Sequence, residues 1–157
     1  MAAAFDSEQF AKMRSGTDYL FPIDVSGKLR LLKFDWVAVG AGVTPTTISL
    51  TKLPPGRIRV LPWMSRLWHT AFGSSLVCDI GHAAYNTESN AAVAADVDAF
   101  TTTIIDIENA GNNIVLDATL HQFDLFSMKG IDVIATVTGG DTAAADALHG
   151  YIAYLHE

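Results

Sequence analysis

The chain has 157 residues, a single cysteine, half of its residues apolar and a formal net charge of −7. One cysteine excludes an intramolecular disulfide, no apolar run approaches the roughly 20 residues that cross a bilayer, and net acidity argues against nucleic acid, which normally meets a basic footprint. The length suits one core, and the first residues lack the basic-then-apolar layout of a secretory signal, so a soluble, reducing compartment is expected.

Residues 1–27 carry Phe5, Phe10, Tyr19, Leu20 and Phe21 without strand alternation, followed by Pro22 and the turn-like Asp24-Val25-Ser26-Gly27. The segment is too apolar for a disordered tail and too irregular for an edge strand. An extended or partly helical N-terminal arm is expected, packed along its own subunit or a neighbour, with a β domain over residues 28–157.

From residue 28 the pattern has period two. Leu32, Phe34, Trp36 and Ala38 share one parity while Lys33 and Asp35 take the other, as a half-buried strand requires. Ile58 and Val60 alternate with Arg57 and Arg59, and Ile114, Leu116, Ala118 and Leu120 with Asp117, Thr119 and His121. Further strands are expected over 46–52, 67–72, 75–80, 101–107, 131–138 and 150–155. Strands with one wet face favour antiparallel pairing, and about eight of them at this spacing predict an all-β, antiparallel, jelly-roll-like sandwich.

The punctuation agrees. Gly40-Ala41-Gly42, Pro54-Pro55-Gly56, residues 109–113 and Gly139-Gly140-Asp141 stand where the chain must reverse. Two windows have helical character: Ala-rich 90–100 behind a possible Asn90 cap, and 141–148 with Thr142 before three alanines. Each spans only about two turns and is marginal as an isolated helix.

Charge is unevenly distributed. Residues 1–66 hold nine Lys/Arg against five acids, and residues 67–157 hold one against twelve. Two oppositely charged surfaces would follow if the halves folded apart. Interleaved strands, as in a Greek-key order, would cancel the field instead.

Chemistry-bearing motifs are sparse. His69, His82, His121, His149 and His156 form neither His-x-His nor His-Glu-x-x-His spacing, so no metal ligand set is expected from one element. His82, ending a strand near Asp79, is the best single candidate for a functional imidazole, and Cys78 in an apolar run reads as a buried, inert thiol. Gly40-Ala41-Gly42 lacks a following helix, and Asp96-Val97-Asp98 lacks the glycine and glutamate of a calcium loop. No catalytic residue, metal or cofactor is expected.

The aromatic residues carry more weight. Trp63, Arg66 and Trp68 lie in Pro62-Trp63-Met64-Ser65-Arg66-Leu67-Trp68-His69, a mixture enriched at interface hot spots. With Phe5, Phe10, Tyr19 and Phe21 of the arm they are the candidate contact residues. Residues 150–155 read as a final strand with both faces occupied, suited to the middle of a sheet.

Four phrases in order, Gly16-Thr17-Asp18-Tyr19-Leu20-Phe21-Pro22, Pro55-Gly56-Arg57-Ile58-Arg59-Val60-Leu61-Pro62, Leu76-Val77-Cys78-Asp79-Ile80-Gly81-His82-Ala83-Ala84-Tyr85 and Gly150-Tyr151-Ile152-Ala153-Tyr154-Leu155, resemble the head decoration, or cement, proteins of tailed bacteriophages. The resemblance implies a jelly-roll-like virion structural protein, made in the bacterial cytoplasm. It would assemble with itself, commonly as a trimer, on the outside of the major capsid protein shell and clamp neighbouring capsomers. It carries over no catalytic residue. The competing expectation is a carbohydrate-binding sandwich on a phage fibre or tail, with Trp68, Asp79, His82 and Asn86 as sugar contacts. A cupin-type metal enzyme ranks third, for want of paired histidines.

Overall fold

The computed structural model describes residues 29–120 and 122–156. The arm, with Phe5, Phe10, Tyr19 and Phe21, lies outside the described residues, as does His121.

Among the described residues twelve strands follow one another: β1 (Leu29–Val37), β2 (Thr46–Leu53), β3 (Gly56–Val60), β4 (Arg66–His69), β5 (Val77–His82), β6 (Tyr85–Asn86), β7 (Ala92–Val93), β8 (Ile105–Asp106), β9 (Gly111–Val115), β10 (Phe123–Ser127), β11 (Ile131–Thr138) and β12 (Ala147–His156). Their pairing is nested. β1 pairs β12, β2 pairs β11, β3 pairs β10, β4 pairs β9, β5 pairs β8 and β6 pairs β7, all antiparallel. The chain is thus one long hairpin with its tip at β6 and β7.

Rolling that hairpin gives two larger sheets. In the first, β12 is central, with β1 along one edge and β3 then β4 along the other, flanked by β10 and β9. The second has the order β2, β11, β5, β8. This strand order is that of a jelly roll, the expected antiparallel β-sandwich.

Alternation explains which side chains enter. Phe34 of β1 and Ala38 just after it are buried, as are Ile58 and Val60 of β3, while Lys33, Asp35 and Arg57 remain exposed. Phe34, Ile58 and Val60 meet Ile48, Cys78, Ile80, Val133, Ala135 and Val137 from the second sheet in one core, which also holds Phe100. Phe100 is fully buried, so its truncation to alanine costs about 3–5 kcal/mol. Gly150 in β12 is required by close approach. A Cβ there would lie 2.6 Å from Cζ of Phe34 and 2.3 Å from the Arg66 carbonyl oxygen.

The break between β3 and β4 has a local cause. Pro62 cannot donate to a ladder, and residues Pro62–Met64 form a single 3-10 turn. Fully buried Ser65 bridges the gap: its hydroxyl donates to the Leu61 carbonyl and accepts from the Ala153 N–H, both at 2.9 Å. β12 therefore runs unbroken past a discontinuous neighbour.

Interleaving decides the charge question. In the first sheet strands of the basic first portion alternate with strands of the acidic remainder, and in the second β2 lies against β11; Arg59 meets Asp124 at 2.8 Å and Lys52 meets Asp132 at 3.5 Å.

Four sequence expectations are corrected. Residues 90–100 are not helical: Asn90 adopts φ 60° in the turn that joins β6 to β7, and Asp96 bridges His82. Residues 141–148 are not helical: 141–146 are a loop and turn, with Ala145 at φ 72° and the Asp146 carboxylate accepting from the Ala143 N–H, and 147 and 148 already belong to β12. The strand expected over 101–107 shrinks to β8, because the Thr101 hydroxyl turns inward to bond the Ile80 backbone. The strand expected over 114–121 is instead β9, and the chain turns at Asp117, whose carboxylate accepts from the Thr119 and Leu120 N–H groups.

Candidate functional site

Odd-numbered residues of β1 and β12 share the outer face of the first sheet. Register places Asp35, His149 and Trp68 in one row across β1, β12 and β4, and Lys33, Tyr151 and Arg66 in the next. Between these rows lies an open cleft of about 510 Å³, lined by Lys33, Asp35, Trp68, His149 and Tyr151 together with Phe34 and Gly150. The Trp68 and Tyr151 rings pack 5.9 Å apart with their planes at 50°. Nδ1 of His149 lies 2.7 Å from Oδ1 of Asp35. Their side chains are 43% and 78% exposed, so the pair faces solvent.

Of the candidate contact residues in the aromatic stretch, register places Arg66 and Trp68 on this face. Trp63 stands on the 3-10 turn with 44% of its surface exposed, and Trp68 is half-buried. The Arg66 guanidinium turns back, its Nη1 donating to the carbonyls of Trp63 at 2.8 Å and Ser65 at 3.0 Å. At one end of the face Leu29 and Leu31 of β1 are about half exposed. Among the described residues β1 is an edge strand, paired with β12 alone.

The four sugar-contact candidates do not come together. Trp68 is on the first sheet. His82 is 2% exposed inside the sandwich, with Nδ1 3.0 Å from the Ala83 carbonyl and its ring against Tyr85, Phe100 and Phe123. Asp79 has the opposite parity and does not orient that ring, and Asn86 belongs to the β6–β7 hairpin. His82, the best single candidate for a functional imidazole, is a core side chain. Cys78 is fully buried, and burial, with the Asp79 charge beside it, pushes its thiol up to about 12.

Acid groups gather elsewhere without forming a ligand cage. Burial raises the Asp79 carboxyl above its ordinary value, with the charge of Asp98 adding to the effect. A hydrogen bond with Asp98, burial and the Asp98 charge raise Asp96. Among the described residues no three His, Cys, Asp or Glu side chains converge as a metal site. No helix among them is long and apolar enough to cross a membrane.

Sequence reasoning passed over Lys33, Asp35, His149 and Tyr151 as site residues. Asp35 and His149 are 114 positions apart, and only the β1–β12 register brings them together.

No family model and no curated protein matches the chain. A solved structure does: a chain of the cyanophage Pam1 capsid asymmetric unit is similar, at 11% identity and a TM-score of 0.56. The likeness covers 85% of this chain and 88% of that one, and at such low identity it is a likeness of fold.

Proposed function

We infer that the chain is a virion structural protein of a tailed bacteriophage, carried on the outside of the capsid as a symmetric oligomer, a trimer. It holds capsomer junctions and performs no catalysis. The observation that carries this is the end-to-end fold likeness to a chain of a phage capsid asymmetric unit, spanning nearly all of both chains. The outer face of the first sheet supports it, offering Trp63, Arg66 and Trp68 beside exposed Leu29 and Leu31 as a contact surface.

The physics favours such a part. Packaged DNA presses outward on a shell joined by many modest interfaces, and a subunit bridging two capsomers adds buried area at the seam. Threefold symmetry matches a local threefold position, and several weak attachments combine into strong avidity. The arm, residues 1–27 with Phe5, Phe10, Tyr19 and Phe21, would reach onto the major capsid protein or a neighbouring subunit, leaving residues 28–157 as the sandwich domain.

The test is a mass measurement on the free protein, followed by co-sedimentation with expanded empty heads of its phage. A trimer that pellets with heads is expected, and deletion of residues 1–15 should leave a folded sandwich that pellets poorly. A monomer that stays in the supernatant would overturn the proposal.

A further inference from the structure

We propose that the cleft over β1, β12 and β4 is a binding site for a single neutral pyranose ring. The site shares Trp68 and the outer face of the first sheet with the proposed contact surface, but its polar groups, Asp35, His149 and Lys33, are not among those contact residues. A pyranose has an apolar face of C–H groups and an edge of hydroxyls, so its receptor needs an aromatic surface with donors and acceptors set around it. Trp68 and Tyr151, tilted at 50° to one another, provide the aromatic walls. Asp35, His149 and Lys33 provide the polar margin.

The details favour sugar hydroxyls over a charged ligand. Asp35 engages His149 through Oδ1, which leaves Oδ2 to accept from a hydroxyl, and the hydrogen bond fixes the imidazole with Nε2 as its second polar atom. Lys33 makes no ion pair among the described residues, so its ammonium can donate to a neighbouring oxygen. The one guanidinium nearby, Arg66, is held by the carbonyls of Trp63 and Ser65 and adds no anion-binding fork. One carboxylate beside one ammonium leaves the margin balanced, which disfavours phosphate and sialic acid. The cleft's volume of about 510 Å³ falls within the roughly 300–1,000 Å³ of small-ligand sites.

The cleft is shallow and open, so affinity for one ring will be on the order of millimolar, raised by repetition when many subunits face a polysaccharide. The experiment is titration of the full-length protein with methyl α-D-glucopyranoside, methyl α-D-galactopyranoside, methyl α-D-mannopyranoside and methyl α-L-rhamnopyranoside, followed in indole N–H resonances. At least one glycoside should shift the Trp68 indole saturably while leaving Trp36 and Trp63 in place. Asp35→Ala, whose side chain is mostly in solvent, should weaken binding about tenfold or more without unfolding the sandwich, and Trp68→Ala, followed by saturation transfer to the glycoside's own resonances, should abolish it. Absence of a saturable Trp68 shift with all four glycosides, or a shift of undiminished affinity in Asp35→Ala, would overturn the proposal. Because the titration uses free protein, its failure leaves the head co-sedimentation result untouched.

Discussion

Replacing Asp117 by alanine should be among the most damaging single changes outside the apolar core. The carboxylate is 6% exposed and accepts five hydrogen bonds: Oδ1 from the Thr119 N–H and hydroxyl, both at 2.7 Å, and the Leu120 N–H at 2.9 Å, and Oδ2 from the Thr102 N–H at 2.8 Å and the Thr102 hydroxyl. It ties the turn after β9 to the turn before β8. Hydrogen bonds to a charged acceptor contribute about 1.5–3 kcal/mol each, but they are not additive, and exposed Thr102 and Thr119 can turn to water, so a total of about 3 kcal/mol is expected. At roughly 2–4 °C per kcal/mol for a chain of this size, the melting midpoint at pH 7 should fall by about 6–12 °C. Burial alone would push this carboxyl up. Hydrogen bonds from the Thr102 and Thr119 hydroxyls and from the Leu120 and Thr102 N–H groups outweigh it and hold the group far below the usual carboxylate range. An unfolded aspartate titrates near ~3.9, so the stabilisation is complete above about pH 5 and drains away as pH falls through about 4 toward the lower folded value. Thermal unfolding followed by circular dichroism at several pH values, for wild type and Asp117→Ala, reads both effects. A loss below about 0.5 kcal/mol at pH 7, or a difference that does not narrow with acid, would refute the account.

Gly81→Ala should be destabilised by about 3 kcal/mol or more in urea titration, because the new Cβ would lie 2.0 Å from the Asp96 backbone oxygen and break the bridge to His82; a loss under about 1 kcal/mol would contradict that packing. Cys78, with its thiol raised to about 12, should react with a disulfide reagent at pH 8 only as fast as the protein unfolds, whereas prompt native-state labelling would show that the thiol is accessible. Asp79→Asn should gain up to about 1 kcal/mol at pH 7, since Oδ1 of Asp79 is buried without a hydrogen-bond partner and its raised folded value makes ionisation costly above about pH 4. That gain should vanish below about pH 3, and a variant less stable than wild type at pH 7 would reverse the sign of the reasoning.

The sandwich was legible because parity is a local property. Phe34 and Ala38, or Ile58 and Val60, mark an inner face without knowledge of any partner strand, and Cys78 could be placed inside from its apolar neighbours alone. What failed was local too, but outvoted. Asn90 and Thr142 look like helix caps, yet two-turn helices are too short to hold against a hairpin at Asn90 and a carboxylate-capped turn at Asp146. Asp117, read as the wet residue of a strand, ends that strand because its own side chain satisfies the backbone that a ladder would otherwise need. The cleft had no local signal. Lys33 and Asp35 looked like a solvated strand face and His149 like a solitary histidine, and only pairing at long sequence separation converts them into neighbours.

The nested order also means that neither half of the polypeptide owns a sheet. Cutting the chain at the β6–β7 tip would give one fragment holding β1 to β6 and another holding β7 to β12, and in both large sheets the strands of one fragment lie beside those of the other. Each piece alone would expose unpaired strand edges and half a core, and each would find its missing hydrogen bonds only on its counterpart. Two separately expressed halves should therefore stay unstructured apart and fold on mixing, their opposite charges drawing them together.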